Sequence, residues 1–177
     1  GKIKGGLGVV CNSRGTHDAL VQDTGLPAVV VHNATDTNPW AGSEKRVLRE
    51  ALLLPQDKQV ALYAGHMYGW KGVSTLVEAA RLLPGMAFVL VGGSAGEQNT
   101  LGVLPDNVVL VGQQPHALVA KYLAAADVLV LPNTKTSEES AQFTSPLKMF
   151  EYMASGTPIV ASDIKSLREV LVGRDPS

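Results

Sequence analysis

Apolar residues along this chain fall into short unbroken runs separated by segments of helical period. Four of the runs, residues 60–64, 87–91, 108–111 and 128–131, contain four or five residues each and stop at glycine or proline. Runs of this length with such ends predict strands. Because the runs are continuous rather than alternating, they favour parallel strands that are covered on both faces.

The intervening segments carry apolar residues three and four positions apart, which predicts helices. The clearest stripe consists of Val73, Leu76, Val77, Ala80 and Leu83, and Pro84 and Gly85 end it. Three further helices are predicted over residues 16–22, after Pro115, and near Leu167, Val170 and Leu171. Another is predicted after Ser43, its N-cap, with an apolar face of Val47, Leu48, Ala51 and Leu52. With two earlier strands near residues 8–11 and 28–32 and five strand–helix units from Val60, the pattern indicates an α/β fold, a Rossmann-like doubly wound parallel sheet.

Residues 145–163 predict a helix followed by a short strand. Ser145 is a good N-cap and Pro146 a good first helical residue, since its missing N–H costs nothing there. The predicted apolar stripe is Leu147, Phe150 and Ala154, the helix ends at Gly156, and residues 158–161 are typical of a buried strand. The free N–H groups at the helix start suit a phosphate, and Glu151 lies about one turn further in, where it can accept hydrogen bonds from sugar hydroxyls. The segment therefore suggests a nucleotide site.

Ligands of parallel α/β sheets bind beyond the carboxyl ends of the strands, where the loops here begin at Gly65, Gly92, Gly112, Pro132 and Ser162. The Gly65 loop (residues 65–72) has glycine at both ends and Lys71 near the next helix, which suits a diphosphate bound by backbone N–H groups and one cation. His66 in this loop can donate a hydrogen bond or carry charge. Two simpler interpretations stay open: the glycines only end strands, and Lys71 is a solvated lysine.

Composition further limits the classes of protein to which the chain can belong. The 177 residues suffice for one domain with a sizeable core, and the net charge of −1 gives no electrostatic case for nucleic acid or a membrane surface. Cys11 is the only cysteine, which excludes an internal disulfide, fits a reducing compartment and suggests a small buried side chain. No apolar run reaches the roughly 18 residues that span a bilayer, and the four histidines lack metal-ligand spacing, so we predict no metal site.

Other polar features have ordinary interpretations. Residues 92–96 lack the G-x-G-x-x-G spacing of a dinucleotide site. Glu138 and Glu139 are adjacent carboxylates typical of a solvated loop, and His116 is expected at the surface or in a structural role. Lys148 and Glu151 are spaced for an exposed ion pair within one helix.

Four segments, in the correct order, resemble glycosyltransferase family 4, the retaining, metal-independent nucleotide-sugar enzymes with the GT-B fold. Residues 31–36 are similar to the family's N-G-V-D segment, and residues 63–65 with Lys71 and Gly72 to its G-R…K-G phosphate loop. Residues 126–132 resemble its A-D-V-x-V-x-P segment, and residues 145–163 its donor-nucleotide helix in the variant S-P-L-K-x-F-E-Y-M-A. The resemblance covers most of the chain.

The resemblance implies roles by position. Lys71 would hold the donor diphosphate, within the loop that also contains Gly65 and His66. The helix start would be presented to the diphosphate by Ser145, Pro146 and Leu147. Glu151 would bind the ribose hydroxyls, and Gly112 and Gln113 would lie near the base. The implied donor is a UDP- or GDP-linked sugar, with no metal and no other cofactor.

The sequence departs from the family's pattern at two positions. The family often carries two glutamates eight positions apart; Glu151 matches the second, but Phe143 stands at the first. The candidates for the missing sugar contact are Glu138, Glu139 and Thr144. His66 replaces the arginine of the phosphate loop, so an always-charged donor becomes a titratable one, and we expect weaker or pH-dependent diphosphate binding.

The resemblance also implies a division of the chain. Residues 1–27 resemble the last β–α unit of an N-terminal acceptor domain, and residues 28–177 resemble a C-terminal donor-binding domain that stops early. With the acceptor domain missing, we expect weak nucleotide-sugar binding and no transfer by this chain alone. The full-length protein is expected to act in polysaccharide or glycolipid synthesis, in the cytoplasm and peripheral to the inner face of a membrane, without a nucleic-acid partner.

Three alternatives stay open. A nucleotide-sugar epimerase of similar fold would place catalytic acids and bases in both domains. A non-catalytic nucleotide-sugar binding module gains weight from Phe143. A plain NAD-binding Rossmann domain is disfavoured by the missing glycine fingerprint.

Overall fold

The structure is a computed structural model that describes residues 8–134 and 147–171. Its strands are β1 (Val9–Cys11), β2 (Ala28–Val30), β3 (Val60–Ala64), β4 (Ala87–Val91), β5 (Val108–Gly112), β6 (Val128–Leu131) and β7 (Ile159–Ala161). Its helices are α1 (Arg14–Thr24), α2 (Lys45–Ala51), α3 (Val73–Leu82), α4 (Ala95–Asn99), α5 (His116–Ala125), α6 (Leu147–Ala154) and α7 (Lys165–Leu171), with a 3₁₀ turn at Gly69–Lys71.

The main sheet has five strands in the order β5-β4-β3-β6-β7, and every neighbouring pair is parallel. Strands β1 and β2 form a separate parallel pair. Because all five strands of the main sheet run in one direction, their carboxyl ends lie at the same edge. The doubly wound α/β fold expected from the apolar runs is confirmed.

The middle of the sheet is covered on both faces. Every residue of β3 and β4 is buried. Val60, Leu62 and Ala64 belong to one apolar cluster, and Ala61 and Tyr63 belong to the other, so alternate side chains of β3 enter opposite layers. Two-sided burial therefore confirms the interpretation of these continuous runs as inner parallel strands.

The strand predicted at residues 158–161 is confirmed as β7, but the prediction that it is buried is wrong. Strand β7 is an edge strand with β6 as its partner in the sheet, and Val160 is 59% exposed. An apolar run shows that a strand forms, but the number of its neighbours depends on strand order, which no local pattern contains.

Helix α2 also differs from its prediction. Its N-cap is Glu44 rather than Ser43, and its buried residues are Leu48 and Arg49, whereas Val47 is 51% exposed. Arg49 turns inward because its guanidinium donates to the carboxylate of Asp127 (2.6 Å) and to the carbonyl oxygen of Ala125 (2.9 Å). Helix α2 is thus fixed to the turn before β6 by a charged contact that an apolar stripe does not predict.

Asp127 also accepts a hydrogen bond from the backbone N–H of Val60 at 2.8 Å, so one carboxylate joins α2, β3 and β6. Burial alone would raise the pKa of Asp127, but the hydrogen bonds from Val60 and Arg49 and the charge of Lys45 hold it below its usual value.

We expect Asp127→Asn to lower the free energy of unfolding by about 1.5–3 kcal/mol, the usual worth of hydrogen bonds to a charged group. Urea unfolding measures the loss. The control is Glu78→Gln, which removes a carboxylate from the exposed pair with Arg81 and should cost less than about 1 kcal/mol. Equal losses in the two variants would contradict the assignment of Asp127 as a structural junction.

The same variant carries a pH signature. A carboxylate whose pKa is lowered by folding stabilises the protein fully above its unfolded pKa of about 3.9, and this contribution is lost as the pH falls through the lower folded value. Stability should therefore decline less steeply below about pH 4 in Asp127→Asn than in the wild type. Parallel declines would exclude a lowered pKa.

Candidate functional site

The loops after β3, β4 and β5 lie directly against one another at the carboxyl edge of the sheet. The N–H of Gly65 donates to the carbonyl oxygen of Val91 (2.8 Å), and the N–H of Gly92 donates to that of Gly112 (2.6 Å). Gly92 has a φ of +108°, and a Cβ there would lie 2.5 Å from the carbonyl oxygen of Gly65. Glycine at residue 92 is therefore required for close backbone approach, beyond merely ending a strand.

The Gly65 loop is also fixed to the end of β6. Gly72 has a φ of +72° and caps α3, and a Cβ at this position would overlap the carbonyl group of Pro132. The N–H of Thr134 donates to the carbonyl oxygen of Trp70 at 3.1 Å. The loop therefore spans the edge from β3 to β6 in one defined conformation.

Lys71 lies in this loop with its Nζ 3.7 Å from the centre of the Trp70 ring. Its side chain is half-buried, and burial lowers its pKa to about 8. The interpretation of Lys71 as a solvated surface lysine does not fit these surroundings.

His66 is exposed and turns toward α4. Its ring stacks on Tyr68 with the centroids 5.0 Å apart, and its Nδ1 lies 3.4 Å from a carboxylate oxygen of Glu97. Glu97 forms a capping box with Ser94 and accepts from the N–H of Met67 (3.1 Å). Backbone hydrogen bonding at Ser94 is the main cause that lowers the pKa of Glu97. Residues 92–96 thus cap a helix and brace the Gly65 loop.

Helix α6 lies over the end of β3. The hydroxyl of Tyr152, which is fully buried, accepts from the N–H of Ala64 at 2.8 Å. Met149 is buried beside it, whereas Leu147 is 58% exposed. The predicted apolar stripe of Leu147, Phe150 and Ala154 is therefore wrong as the buried face. The helix turns Tyr152 inward because its hydroxyl finds a backbone partner, and the predicted end near Gly156, with φ +71°, is confirmed.

Sequence reasoning missed Lys148, which was assigned to an exposed pair with Glu151. Instead its Nζ donates to the hydroxyl of Tyr63 at 2.8 Å and lies 4.2 Å from the centre of that ring. Burial, with the nearby charge of Lys71, lowers the pKa of Lys148 to about 7, and Glu151 opposes this shift. The residue in the sequence that could have indicated this contact is Tyr63, since a tyrosine hydroxyl within a buried strand needs a polar partner.

Glu151 is half-buried on α6, and its carboxylate lies 2.8 Å from Nε2 of His116. His116 opens α5, just after Gly112 and the exposed Gln113. The expected surface position of His116 is confirmed, and its contact with Glu151 brings α6 next to the turn that follows β5. Helix α6 therefore reaches the Gly65 loop through Lys148, whose Nζ lies against Gly65, and the start of α5 through Glu151.

The remaining candidates of the sequence analysis lie outside the described residues. These are Glu138, Glu139, Phe143, Thr144, Ser145 and Pro146. Within the described part of the chain, no three His, Cys, Asp or Glu side chains are grouped so as to hold a metal ion. Nor does any helix in residues 8–134 or 147–171 have the length and apolar character needed to cross a membrane.

Comparison with known proteins identifies the family of the chain. Residues 58–175 match the family model described as glycosyl transferases group 1, which is more than half of the chain. The chain belongs to this family. It is also 28% identical over 149 residues to D-inositol 3-phosphate glycosyltransferase of Mycobacterium bovis (strain BCG / Pasteur 1173P2), in an alignment that covers 78% of this chain and 29% of the relative.

Solved glycosyltransferase structures share the fold. Sucrose-phosphate synthase from Thermosynechococcus elongatus matches with a TM-score of 0.74 and 28% identity over 93% of this chain and 43% of that one. HepE from Anabaena, solved in complex with UDP and glucose, matches with a TM-score of 0.69 and 25% identity over 90% of this chain and 45% of that one. The chain thus spans less than half of each of these proteins.

The hydrogen bond that joins Tyr152 of α6 to Ala64 can be tested by measuring the free energy of unfolding. Tyr152→Phe removes the hydroxyl that accepts from the N–H of Ala64, so we expect the free energy of unfolding to fall by about 1–3 kcal/mol, the cost of leaving a buried donor unpaired. Tyr68→Phe removes the same atom from an exposed side chain and should change stability by less than about 0.5 kcal/mol. Thermal and urea unfolding of both variants give the comparison. Unchanged stability of the Tyr152→Phe protein would contradict a stabilising role of this hydrogen bond.

Proposed function

We propose that this chain is the donor-binding part of a retaining glycosyltransferase that uses a nucleoside-diphosphate sugar, linked to UDP or GDP, to glycosylate an acceptor hydroxyl. The observation that carries the proposal is the position of α6, which lies against Gly65 through Lys148 and against the start of α5 through Glu151. A ligand at this edge of the sheet would meet a cation, a helix start and a carboxylate in one place.

The diphosphate of the donor is assigned to the Gly65 loop and the start of α6. Lys71 supplies a positive charge from the loop, and the backbone N–H groups in the first turn of α6, beginning at Leu147, have no partner within the helix. His66 lies at the head of the same loop, although its ring lies beside Glu97.

The nucleoside is assigned to Glu151, about one turn further along α6. The carboxylate of Glu151 can accept hydrogen bonds from two ribose hydroxyls, and the contact with His116 fixes its orientation. Gly112 and Gln113 lie in the neighbouring turn, where the base would lie beside an exposed side chain and a glycine backbone.

The reaction that this site would serve breaks the bond between the anomeric carbon and the diphosphate oxygen. The leaving diphosphate takes the electron pair, and Lys71 and the dipole of α6 stabilise its added charge. We propose that no metal ion is needed for this, and that the acceptor oxygen bonds to the same face of the sugar while its proton passes to an oxygen of the leaving diphosphate. The acceptor site belongs to the remainder of a longer protein, so this chain alone would bind donor weakly and transfer nothing.

The nucleotide assignment is tested by Glu151→Ala. We expect it to weaken binding of UDP or GDP by about 10- to 100-fold, because the ribose hydroxyls lose a charged acceptor. Isothermal titration calorimetry gives the affinity, and comparing UDP with GDP, which differ in the base alone, identifies the base. Glu78→Ala, an exposed carboxylate on α3, is the control and should bind as the wild type does. Unchanged binding by a folded Glu151→Ala protein would remove the assignment.

The reaction itself is tested with the full-length protein. We expect glycosyl transfer with retained anomeric configuration, and no loss of rate when a chelator removes divalent metal ions, since the charges that stabilise the leaving group belong to the protein. NMR of the product determines the configuration. An epimerised nucleotide sugar would favour the epimerase, and binding without turnover would favour a non-catalytic module. A chelator-sensitive rate would contradict metal independence.

A further inference from the structure

Two lysines meet at the Gly65 loop without an ion-pair partner in the described part of the chain, although the carboxylate of Glu151, beyond salt-bridge distance, acts on Lys148. The ion pairs found in residues 8–134 and 147–171 include neither Lys71 nor Lys148. Their close contacts are with neutral aromatic groups, Trp70 for Lys71 and Tyr63 for Lys148. The two ammonium groups are near enough for Lys71 to lower the pKa of Lys148. Two like charges held together in partly buried positions are unfavourable until an anion joins them.

Lys148 is held in place by Tyr63. The hydroxyl of Tyr63 donates its hydrogen to the carbonyl oxygen of His66, which leaves its oxygen free to accept from the ammonium of Lys148 at 2.8 Å. Because Tyr63 is itself fully buried in β3, the accepting end of this contact is held in place. The position of the ammonium group is thus set by the central strand of the sheet.

The absence of a side chain at Gly65 gives Lys148 access to the loop. A Cβ at this residue would overlap Nζ of Lys148, so the ammonium lies directly over the loop backbone. His66, the next residue, has its ring beside Glu97. The cation at the head of the Gly65 loop therefore comes from α6, which follows β6 in the chain, and not from the loop itself.

We propose that Lys148 binds the donor diphosphate jointly with Lys71, and that Tyr63 is the residue that positions it. This inference rests on the proposed donor-binding function and adds a second cation to it. The two ammonium groups match the two negative charges of a nucleotide-sugar diphosphate. Lys148 has two N–H groups left after its bond to Tyr63, enough to reach oxygens of both phosphates.

The test is titration of this chain with pyrophosphate, UDP and UDP-glucose. Lys148→Met keeps the length and apolar stem of the side chain and removes its charge, so we expect the affinity for all three to fall by roughly 10- to 100-fold. Lys121→Met is the matched control, since the Lys121 ammonium also lies over an aromatic ring, that of Trp40 at 5.1 Å, but on α5. It should bind all three ligands as the wild type does.

The outcomes separate this inference from the function on which it rests. If Lys148→Met binds within about twofold of the wild type, Lys148 is not a diphosphate ligand, although the nucleotide-sugar proposal stands. If pyrophosphate binding depends on Lys148 but UDP and UDP-glucose bind no better than pyrophosphate, Lys148 is confirmed as a diphosphate ligand and the nucleotide-sugar function is contradicted. If the wild type binds none of the three, both are overturned.

Lys148→Arg provides a second variant that keeps the charge. The charged groups around Lys148 are Lys71 from the loop and Glu151 from its own helix, with the neutral phenol of Tyr63 from β3. Lysines with lowered pKa values lose charge as the pH rises, so wild-type affinity for UDP-glucose should fall between about pH 7 and pH 9. Lys148→Arg should bind UDP-glucose with a flatter profile, because arginine stays charged throughout. Identical profiles would contradict a role for the Lys148 charge.

Tyr63→Phe tests the positioning role. Loss of the hydroxyl removes an acceptor that favours the charged ammonium, so the fall in UDP-glucose affinity should begin at lower pH than in the wild type. A merely structural tyrosine would lower the melting temperature and leave the midpoint of this pH profile unchanged.

Discussion

The site depends on two tyrosine hydroxyls that hold α6 to the carboxyl end of β3. Tyr152 reaches from the helix to the backbone of Ala64, and Tyr63 reaches from the strand to Lys148. Both phenol groups are buried, and burial raises the pKa of each, so they remain neutral. A buried hydroxyl must be paired to avoid a large desolvation cost. These two contacts therefore fix the rotation of α6 about its own axis and its position relative to β3. That orientation determines which side chains of α6 meet the Gly65 loop.

Around this junction, backbone contacts between the loops complete the edge of the sheet. Gly65, Gly92 and Gly112 bring the ends of three strands within hydrogen-bond distance of one another, and Gly72 lets the Gly65 loop pass against Pro132. Larger residues at Gly72 and Gly92 would collide with backbone atoms, which cannot move aside as a flexible side chain can. The glycines that mark strand ends in the sequence thus also bring together the parts of one site.

Much of the fold could be predicted because its signals are local. The bounds of β3, β4 and β6 agree with their apolar runs, and the buried face of α3 includes Val73, Leu76, Val77 and Ala80 as its stripe predicts. The placement of Leu83, the last residue of that stripe, is wrong, because Leu83 follows the end of the helix and is 47% exposed.

The errors in the two helices whose buried faces were predicted wrongly, α2 and α6, share one cause. In α2 and α6, Arg49 and Tyr152 turn inward without being predicted, and both are polar or amphipathic; Met149 is buried on the same face as Tyr152. Arg49 and Tyr152 are each buried because a distant residue satisfies their polar group, and an apolar pattern cannot anticipate that partner.

Local periodicity and motifs in a fixed order are enough to predict the class of fold, the order of the strand–helix units and the family. They also identify Lys71 and Glu151 as site candidates from their places in a loop and a helix. The contact between Lys148 and Tyr63, in contrast, follows only from the folded chain. That contact joins residues 85 positions apart, and it exists because a strand in the middle of the sheet offers a buried hydroxyl where the helix begins.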